Sequence, residues 1–317
     1  MLNEILSDER AWTASTIDDA SSWYYSLSEK CLSSLDEFVR KLRRVPRPIT
    51  GIRIEESEFD DCRECFQPVL DALNSGRGFV IVEWAPLERY IGEEAQTIYW
   101  VIGQILGDPF EQDIEGTLLY DVRDTGQEVA QGVRFSVTNA ESSFHMDNSF
   151  GCQVPDFVGL LFLQTAKSGG QSQLISAYAL HNELLEHHPE VLETFYQTFC
   201  FDRRGQFREG EPPVTQAPIF HWDGNELTAR YLHYYIQVGH DMAGQPLNPK
   251  QENALQDMES LLRCPDLRVE FNLRPGQMLF TNNRWILHNR TAFDDHSEPE
   301  LRRHCVRLWL SRKKLQS

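Results

Sequence analysis

The 317-residue sequence lacks the features that would place it in a membrane or on nucleic acid. No stretch approaches the roughly 18 consecutive apolar residues that a membrane-spanning helix needs. Lys and Arg number 30 against 48 Asp and Glu, a formal net charge of −18. Because this charge repels phosphate groups and anionic lipids, we expect neither nucleic acid nor a membrane as partner. The N-terminus lacks the basic start and apolar stretch of a signal peptide, so we expect a cytoplasmic location.

The seven cysteines form no recognisable disulfide framework or zinc motif. Their number is odd and their spacing is scattered, which is typical of reduced thiols in a cytosolic protein. Cys62 and Cys65 make a single C-x-x-C, and the second pair that a tetrahedral zinc site needs does not occur at a suitable spacing. We therefore interpret both as structural thiols.

Short apolar stretches separated by turn residues dominate the chain from about residue 116 onward. Helical patterns interrupt them at about 178–196 and 248–263. This pattern predicts a mainly β protein with flanking helices and a double-stranded β-helix core, that is, a cupin-like jelly roll. The strand-like stretches lie at 117–122, 133–138, 157–164, 172–175, 197–202, 217–221, 227–231, 268–273, 277–281 and 303–311.

The first part of the chain is predicted to be largely helical. Apolar residues recur at helical spacing over 18–44, 60–75 and 92–105, and the apolar stretch 79–82 indicates one buried strand. We divide the chain into an N-terminal helical extension packed on the core, residues 1–70, and a single jelly-roll catalytic unit, residues 71–317.

A divalent iron that must bind oxygen needs few protein ligands, and two histidines with one carboxylate leave positions open. His-x-Asp on a strand can supply two of these ligands, because side chains two residues apart point to the same face. Five His-x-Asp or His-x-Glu pairs occur, so context must choose among them. They are His145–Asp147, His181–Glu183, His188–Glu190, His221–Asp223 and His296–Glu298.

Local context favours His145–Asp147. The pair at 181 lies in a predicted helix, where residues two apart diverge by roughly 200°. The pair at 188 contains a proline, the pair at 221 runs into the hairpin signal Asp223-Gly224, and the pair at 296 lies in a charged loop. His145 follows the strand-like stretch 133–137 in a mostly uncharged neighbourhood. His288, which follows a distant apolar strand, is the candidate third ligand.

The last predicted strand carries two arginines on one face. Arg303, Cys305, Arg307 and Trp309 alternate along it, a combination that is unusual for a solvated surface. Arginine is suited to holding a carboxylate, because its planar fork donates two parallel charge-assisted hydrogen bonds. An edge strand protected by charge is the alternative interpretation.

In these motifs the sequence resembles the taurine dioxygenase and clavaminate synthase-like family of iron(II)/2-oxoglutarate oxygenases. The resemblance covers roughly residues 70–311. The matching segments occur in the family's order: Gly76–Val82, Ile102–Gly107 with Gln112, His145-Met146-Asp147, Gly169-Gly170-Gln171-Ser172, Pro275–Arg284, His288–Phe293, and the arginines 15 and 19 residues after His288. Ser172 stands where some members have Thr, and the hydroxyl is retained.

The resemblance implies a non-haem dioxygenase that uses iron(II), dioxygen and 2-oxoglutarate and releases succinate and carbon dioxide. It implies that His145, Asp147 and His288 hold the iron. It also implies that Ser172, Arg303 and Arg307 bind the cosubstrate, although Arg307 could instead bind an anionic group of the substrate. Family halogenases replace the metal carboxylate with a small residue, so Asp147 disfavours halogenation.

The substrate is expected to be a small molecule, amino-acid-like or a biosynthetic intermediate. Hydroxylation, desaturation, cyclisation and cleavage all stay open, as does assembly into a homo-oligomer. Asn148, Phe150 and Arg230 are candidate substrate-binding residues, and an exposed strand position is the alternative for Arg230. The polar, turn-rich stretch 202–216 is typical of a mobile lid and equally of a plain surface loop.

Two other functions fit part of the pattern. A jelly-roll binding protein that has lost its chemistry would be expected to have a broken ligand set, whereas all three ligand candidates and the arginine are present. A zinc-dependent hydrolase could use the same His-x-Asp and distant His, but it would leave Ser172 and Arg303 without a purpose.

Overall fold

A computed structural model describes residues 1–55, 57–84, 89–90, 92–126 and 135–313. Within these ranges no helix is both long and apolar enough to cross a bilayer. The elements are β1 (Tyr24–Ser26), α1 (Glu29–Arg44), α2 (Asp60–Asn74), β2 (Phe79–Glu83), α3 (Gly92–Leu106), β3 (Asp108–Phe110), β4 (Leu119–Val122), β5 (Phe157–Gln164), β6 (Ser168–Gly169), β7 (Ser172–Ser176), α4 (Ala177–His187), α5 (Pro189–Phe195), β8 (Thr198–Asp202), β9 (Val214–Pro218), β10 (Phe220–Trp222), β11 (Leu227–Ala229), α6 (His233–Met242), α7 (Pro249–Leu262), β12 (Arg268–Phe271), β13 (Met278–Asn282), β14 (Ile286–Arg290), β15 (Phe293–Asp294) and β16 (His304–Ser311).

Two facing sheets form the core. The major sheet has the strand order β1-β2-β13-β5-β16-β3, with β4 also paired to β16, and the minor sheet has the order β12-β7-β14. All these pairs are antiparallel except β1 with β2. Residues from both sheets line one cavity, which therefore lies between them. The predicted jelly-roll core with flanking helices is confirmed.

The major sheet is covered on both faces, which explains its continuous apolar strands. In β2, Phe79 and Ile81 belong to the hydrophobic cluster on the side of the minor sheet, whereas Val80 and Val82 belong to the cluster formed with α1, α2 and α3. All four side chains are fully buried. A strand buried on both faces carries no polar alternation, so it reads as an uninterrupted apolar stretch.

The N-terminal segment contributes a strand where we predicted only helix. Tyr24, Tyr25 and Ser26 pair in parallel with Ile81, Val82 and Glu83. The open edge of β2 offers backbone hydrogen bonds that a helix beginning at residue 18 would leave unused. Helix α1 begins later, where the Ser28 hydroxyl accepts a hydrogen bond from the Cys31 amide. The domain boundary at residue 70 stays a prediction.

The expectation of seven reduced thiols is wrong for one pair. Cys31 on α1 and Cys62 on α2 form a disulfide, with their Cα atoms 4.6 Å apart. The two residues are separated by 31 positions, and only the packing of α1 against α2 brings them together. Of the two cysteines in the C-x-x-C motif, Cys62 forms this disulfide and Cys65 is a free thiol.

Three helical details also differ from the sequence prediction. The helix predicted at 178–196 is two helices, because Pro189 cannot continue α4 and instead starts α5. Helix α6 was not predicted. The predicted strand 133–138 is not a strand where the structure describes it, since residues 135–137 form a 3-10 turn and residues 133–134 lie outside the described ranges.

Candidate metal centre and its cavities

His145 and His288 are held opposite each other by reciprocal backbone hydrogen bonds. The His145 amide donates to the His288 carbonyl at 3.0 Å, and the His288 amide donates to the His145 carbonyl at 2.9 Å. This isolated bridge fastens the segment around His145 to β14, whose other edge pairs with β7. Two histidines separated by more than a hundred positions therefore become direct neighbours, with ring centroids 4.3 Å apart.

The period-two argument for the His-x-Asp pair holds without the continuous strand that we predicted before it. Phe144 and Met146 are buried in the hydrophobic core, whereas His145 and Asp147 line the cavity. The alternation survives because the segment is extended and pinned to neighbouring chain segments, including a bond from the Met146 amide to the Tyr231 carbonyl at 3.0 Å.

His145, Asp147 and His288 point their ligand atoms at one place. The Nε2 atoms of His145 and His288 lie 3.6 Å and 3.7 Å from Asp147 Oδ1. These separations are too long for hydrogen bonds, and the three ligand atoms lie within 4.8 Å of one another. Two imidazoles and one carboxylate on one side of a common point match the donor set of non-haem iron(II) centres. The residues present therefore fit an iron ion.

The surroundings select the donor atom of His145, whereas His288 Nδ1 has no hydrogen-bond partner among the described residues. His145 Nδ1 lies 2.8 Å from the Ser143 carbonyl oxygen and donates a hydrogen bond to it. This contact leaves the Nε2 lone pair free for a metal. Burial lowers the pKa of His288, and the nearby His145 ring lowers it further. A neutral imidazole is the form that binds a metal.

Asp147 is fixed through both its backbone and its carboxylate. Its amide donates to Asn283 Oδ1 at 2.8 Å, and Asn283 Nδ2 donates back to the Asp147 carbonyl at 2.9 Å. Burial alone would raise the pKa of Asp147, but the Arg307 guanidinium and the two histidines outweigh it and hold the pKa well below its usual value. The carboxylate is therefore ionised, as a metal ligand must be. Sequence reasoning did not assign Asn283 a role.

Ser172 and Arg303 line the same cavity as the three candidate ligands. We call it the inner cavity. Arg303 is only 4% exposed, and its guanidinium packs against the rings of Phe162 and Phe293. Within the described residues, this guanidinium makes no hydrogen bond or ion pair. A buried cation without a partner is costly, so the inner cavity is suited to an anion.

Arg290, a second arginine of the inner cavity and a partly buried one, was not singled out from the sequence. It donates from Nη1 to the Thr138 carbonyl at 3.1 Å and from Nη2 to the Ala140 carbonyl, and it stacks on Phe293. Burial, together with the nearby Arg303, lowers its pKa to about 10, which leaves it charged at neutral pH. Its position two residues after His288 on β14 was the signal that could have identified it.

Arg307 lies at the metal-ligand carboxylate. Its Nη1 is 3.2 Å from Asp147 Oδ2 and 3.3 Å from Oδ1, and its Nε donates to Gln112 Oε1 at 2.8 Å. Its guanidinium stacks on Tyr120 and Trp309. Arg303 and Arg307 thus have different surroundings, although both line the inner cavity. Cosubstrate binding by Arg307 stays a prediction that this pairing does not favour.

Asn148 and Phe150 line a second cavity, which shares His145, Asp147 and Arg307 with the inner cavity. We call this cavity, together with its mouth, the outer cavity. Phe150 packs edge-on against Tyr235, with ring centroids 5.4 Å apart. Asn148 has a positive φ of 52° and donates from its side chain to the Gln153 carbonyl, so part of its amide is already used in the turn. Besides these residues and the ligand candidates His145 and Asp147, the cavity is lined by Gln112, Ser136, Met146, Leu232, Arg307 and Trp309.

Arg230 lies behind this turn. Its Nη1 donates to the Gly151 carbonyl at 2.7 Å and lies 3.4 Å from the Ser149 carbonyl. It lines neither the inner nor the outer cavity. The geometry therefore supports a role in holding the turn at residues 148–151, and the expected contact with substrate stays a prediction.

The stretch 202–216 forms one wall of the mouth of the outer cavity, where Arg203, Gln206, Arg208 and Glu211 face residues 109–114. Gln206 Oε1 accepts a hydrogen bond from the Ile114 amide at 3.1 Å, and Arg203 pairs with Glu211 at 2.8 Å. The stretch is placed where a lid would act, and its movement stays a prediction.

Two curated proteins are similar to most of the chain. FR-33289 synthase of Streptomyces rubellomurinus is 26% identical over 316 residues, which cover 98% of this chain and 91% of that protein. A taurine hydroxylase-like protein of Stachybotrys chartarum is 23% identical over 314 residues, which cover 96% of this chain and 79% of that protein.

Solved structures share the fold. An asparagine oxygenase bound to Fe(II), 3-hydroxyasparagine and succinate superposes with a TM-score of 0.68 and 17% identity, over 91% of this chain and 93% of that one. The non-haem iron oxygenase OrfP, bound to iron and α-ketoglutaric acid, superposes with a TM-score of 0.65 and 14% identity, over 92% and 94%. At these identities the likeness establishes the fold.

The family match covers most of the chain. The sequence model of the taurine catabolism dioxygenase TauD, TfdA family matches residues 41–309. That range includes the candidate metal ligands and all residues that line the inner cavity and the mouth of the outer cavity. The protein therefore belongs to the TauD/TfdA family of iron(II)- and 2-oxoglutarate-dependent oxygenases.

Proposed function

We propose that His145, Asp147 and His288 hold iron(II), and that the protein couples oxidation of a small-molecule substrate to the conversion of 2-oxoglutarate and dioxygen into succinate and carbon dioxide. The observation that carries this proposal is the position of an intact two-histidine, one-carboxylate set in the same cavity as the buried Arg303 guanidinium, which has no hydrogen-bond or ion-pair partner among the described residues. The iron, when bound, supplies the activation of dioxygen.

We assign the far carboxylate of 2-oxoglutarate to Arg303 and Ser172. The Arg303 guanidinium offers several N–H donors, and the Ser172 hydroxyl lies on the facing strand β7 of the same cavity. A planar guanidinium binds a carboxylate through two charge-assisted hydrogen bonds. Apolar walls from Leu160, Leu174 and Leu279 keep water away and strengthen that interaction.

We place the substrate in the outer cavity, on the opposite side of the metal ligands. Phe150, Leu232 and Tyr235 offer apolar and aromatic surface, and Gln112 and Asn148 add polar groups. Known members of this fold include an asparagine oxygenase, and the similar Streptomyces protein is a synthase. We therefore propose an amino-acid-like or biosynthetic small molecule, with hydroxylation as the simplest outcome.

The proposal also covers the location of the protein and the two alternative functions considered from the sequence. We retain a cytoplasmic location, although the Cys31–Cys62 disulfide weighs against it, since such bonds are rare in reducing compartments. Zinc hydrolysis and a non-catalytic role are disfavoured, because neither uses the buried Arg303 guanidinium beside a complete ligand set.

The first experiment is an anaerobic titration with iron(II) and 2-oxoglutarate, followed by visible absorption. We expect a weak metal-to-ligand charge-transfer band that is lost in Asp147→Ala, because the carboxylate ligand is removed. Asp156→Ala, which removes a partly buried aspartate that binds the Arg312 amide, is the matched control and should retain the band. Folded wild-type protein without a band would refute the proposal. A screen of candidate substrates by succinate release would then identify the substrate.

A further inference from the structure

The two oxygens of the Asp147 carboxylate have different surroundings. Oδ1 is the oxygen nearest the Nε2 atoms of His145 and His288, at 3.6 Å and 3.7 Å. Oδ2 accepts a hydrogen bond from Trp309 Nε1 at 2.7 Å. Arg307 Nη1 bridges the two oxygens at 3.3 Å and 3.2 Å and does not distinguish between them. The indole N–H is therefore the contact that makes the two oxygens unequal.

The Trp309 ring is held rigidly in this orientation. It is 3% exposed and packs against Phe110 on one side, with the Arg307 guanidinium 4.9 Å from its ring. Trp309 lies on β16 two positions after Arg307, so both side chains point from one strand to the same carboxylate. A donor held by packing can fix an acceptor, whereas a mobile one only follows it.

Gln112 restrains the second partner of the carboxylate. Its Nε2 donates to the Arg307 and Leu118 carbonyls at 2.9 Å and 3.0 Å, while its Oε1 accepts from Arg307 Nε at 2.8 Å. Gln112 is itself 3% exposed, so this arrangement is shielded from water. Its effect is to fix the position of Arg307 beside Asp147 independently of any ligand in the cavity.

We propose that Trp309 is a positioning residue of the metal centre. Its indole N–H occupies Oδ2 and turns Oδ1 of Asp147 towards the two histidines, so that the carboxylate offers the metal a single oxygen. This inference rests on the proposed iron site and extends it to a residue outside the ligand set. Partners that orient metal ligands typically change metal affinity by about 10–100-fold when they are removed.

The alternative is that the Asp147 carboxylate only provides an acceptor for the buried Trp309 N–H, and that Trp309 does not orient the carboxylate. A buried indole N–H needs an acceptor, and any nearby carboxylate would satisfy it. In that case, removing the N–H would alter stability without altering metal affinity. Metal affinity of the folded protein therefore distinguishes positioning from simple satisfaction of a buried donor.

The test is Trp309→Phe, measured by anaerobic titration of the full-length protein with Co(II) and by the visible absorption of the bound ion. We expect the Kd for Co(II) to rise about 10–100-fold, with an altered spectrum as the freed carboxylate changes its contact with the ion. Trp100→Phe is the matched control, because it also removes a buried indole N–H bond, to the Ile52 carbonyl, far from the cavity. We expect it to lower the melting temperature and to leave the Kd unchanged.

Replacement of Trp309 by 3-benzothienylalanine keeps the shape of the ring and removes only the N–H, which covers the case in which Trp309→Phe does not fold. Wild-type affinity and spectrum in a folded variant would overturn the positioning role and leave the proposed function intact. Failure of the wild-type protein to bind Co(II) or iron(II) would overturn the proposed function itself.

Discussion

The inner and outer cavities meet at His145 and Asp147 but are built from different kinds of structure. The inner cavity is lined mainly by strands of the two sheets, namely β5, β7, β13, β14 and β16. The outer cavity and its mouth are lined mainly by the segments 109–114, 148–153 and 203–211 together with α6, and Arg307 and Trp309 of β16 also line it. Paired strands hold side chains in fixed positions, whereas loops tolerate change. Under the proposed function, the 2-oxoglutarate pocket would lie mainly among the strands and the substrate pocket mainly between loops and α6.

Charge distinguishes the two cavities as well. The inner cavity contains the Arg303 guanidinium, which makes no hydrogen bond or ion pair within the described ranges, with Arg290 nearby. At the mouth of the outer cavity, Arg203 is already paired with Glu211. An anion therefore gains most by entering the inner cavity, while the outer cavity must recognise its ligand through shape and through a few polar groups.

The largest effect is expected for Arg303→Met, which removes the cation of the inner cavity. Two charge-assisted hydrogen bonds are lost, so the Kd for 2-oxoglutarate should rise roughly 100-fold or more. The measurement is a titration of the iron(II) protein with 2-oxoglutarate, followed by the intensity of the charge-transfer band. Arg302→Met, at the exposed neighbouring position, is the control and should leave the Kd unchanged. If the Kd for 2-oxoglutarate rose less than threefold in Arg303→Met, the assignment of the far carboxylate to Arg303 would be wrong.

An intermediate effect on the other cavity is expected for Phe150→Ala. Losing a partly buried aromatic wall costs about 1.5 kcal/mol of contact, so the KM of the substrate found in the screen should rise about 10-fold. The Kd for 2-oxoglutarate should stay within about twofold of the wild-type value, since Phe150 does not line the inner cavity.

Phe38→Ala, which removes a similar ring from α1, controls for loss of packing and should leave both constants unchanged. If Phe150→Ala weakened the binding of 2-oxoglutarate as much as the binding of the substrate, the two cavities would not be separate binding regions.

The smallest effect is expected for Ser172→Ala. A single hydroxyl bond to the carboxylate contributes about 1 kcal/mol, so the Kd for 2-oxoglutarate should rise about fivefold with no change in substrate KM. Ser168→Ala, on the exposed strand β6, is the matched control. An unchanged Kd in Ser172→Ala would place the far carboxylate on Arg303 and Arg290 without the serine.

The sequence predicted those parts of the site that depend on local spacing. His145 and Asp147 share a direction because the chain is extended there, and the apolar strands of the core follow from burial on two faces. The predictions failed where a distant segment competes for the backbone. Residues 24–26 were predicted to be helical, yet they complete the edge of β2.

Roles that depend on long-range contacts were also out of reach of the sequence. Arg230 and Arg303 both lie at the borders of strand-like stretches, yet Arg230 holds a turn, whereas the Arg303 guanidinium lies in a cavity with no hydrogen-bond or ion-pair partner among the residues described. Asn283 fixes the backbone of Asp147 across more than a hundred positions. Spacing within one segment carries no information about which carbonyl or carboxylate another segment will bring beside it.

The amino-acid order alone therefore determined the jelly-roll class, the acidic surface and the residue types that can hold iron and a dicarboxylate. Only the tertiary structure decided that His145 faces His288, that Arg307 and Trp309 both donate hydrogen bonds to the carboxylate of Asp147, and that the Arg303 guanidinium has no hydrogen-bond or ion-pair partner in the part of the chain that the structure describes. The physical reason is that side-chain chemistry and periodicity are local properties, whereas the distance between two groups from distant segments is set by how the sheets pair and pack.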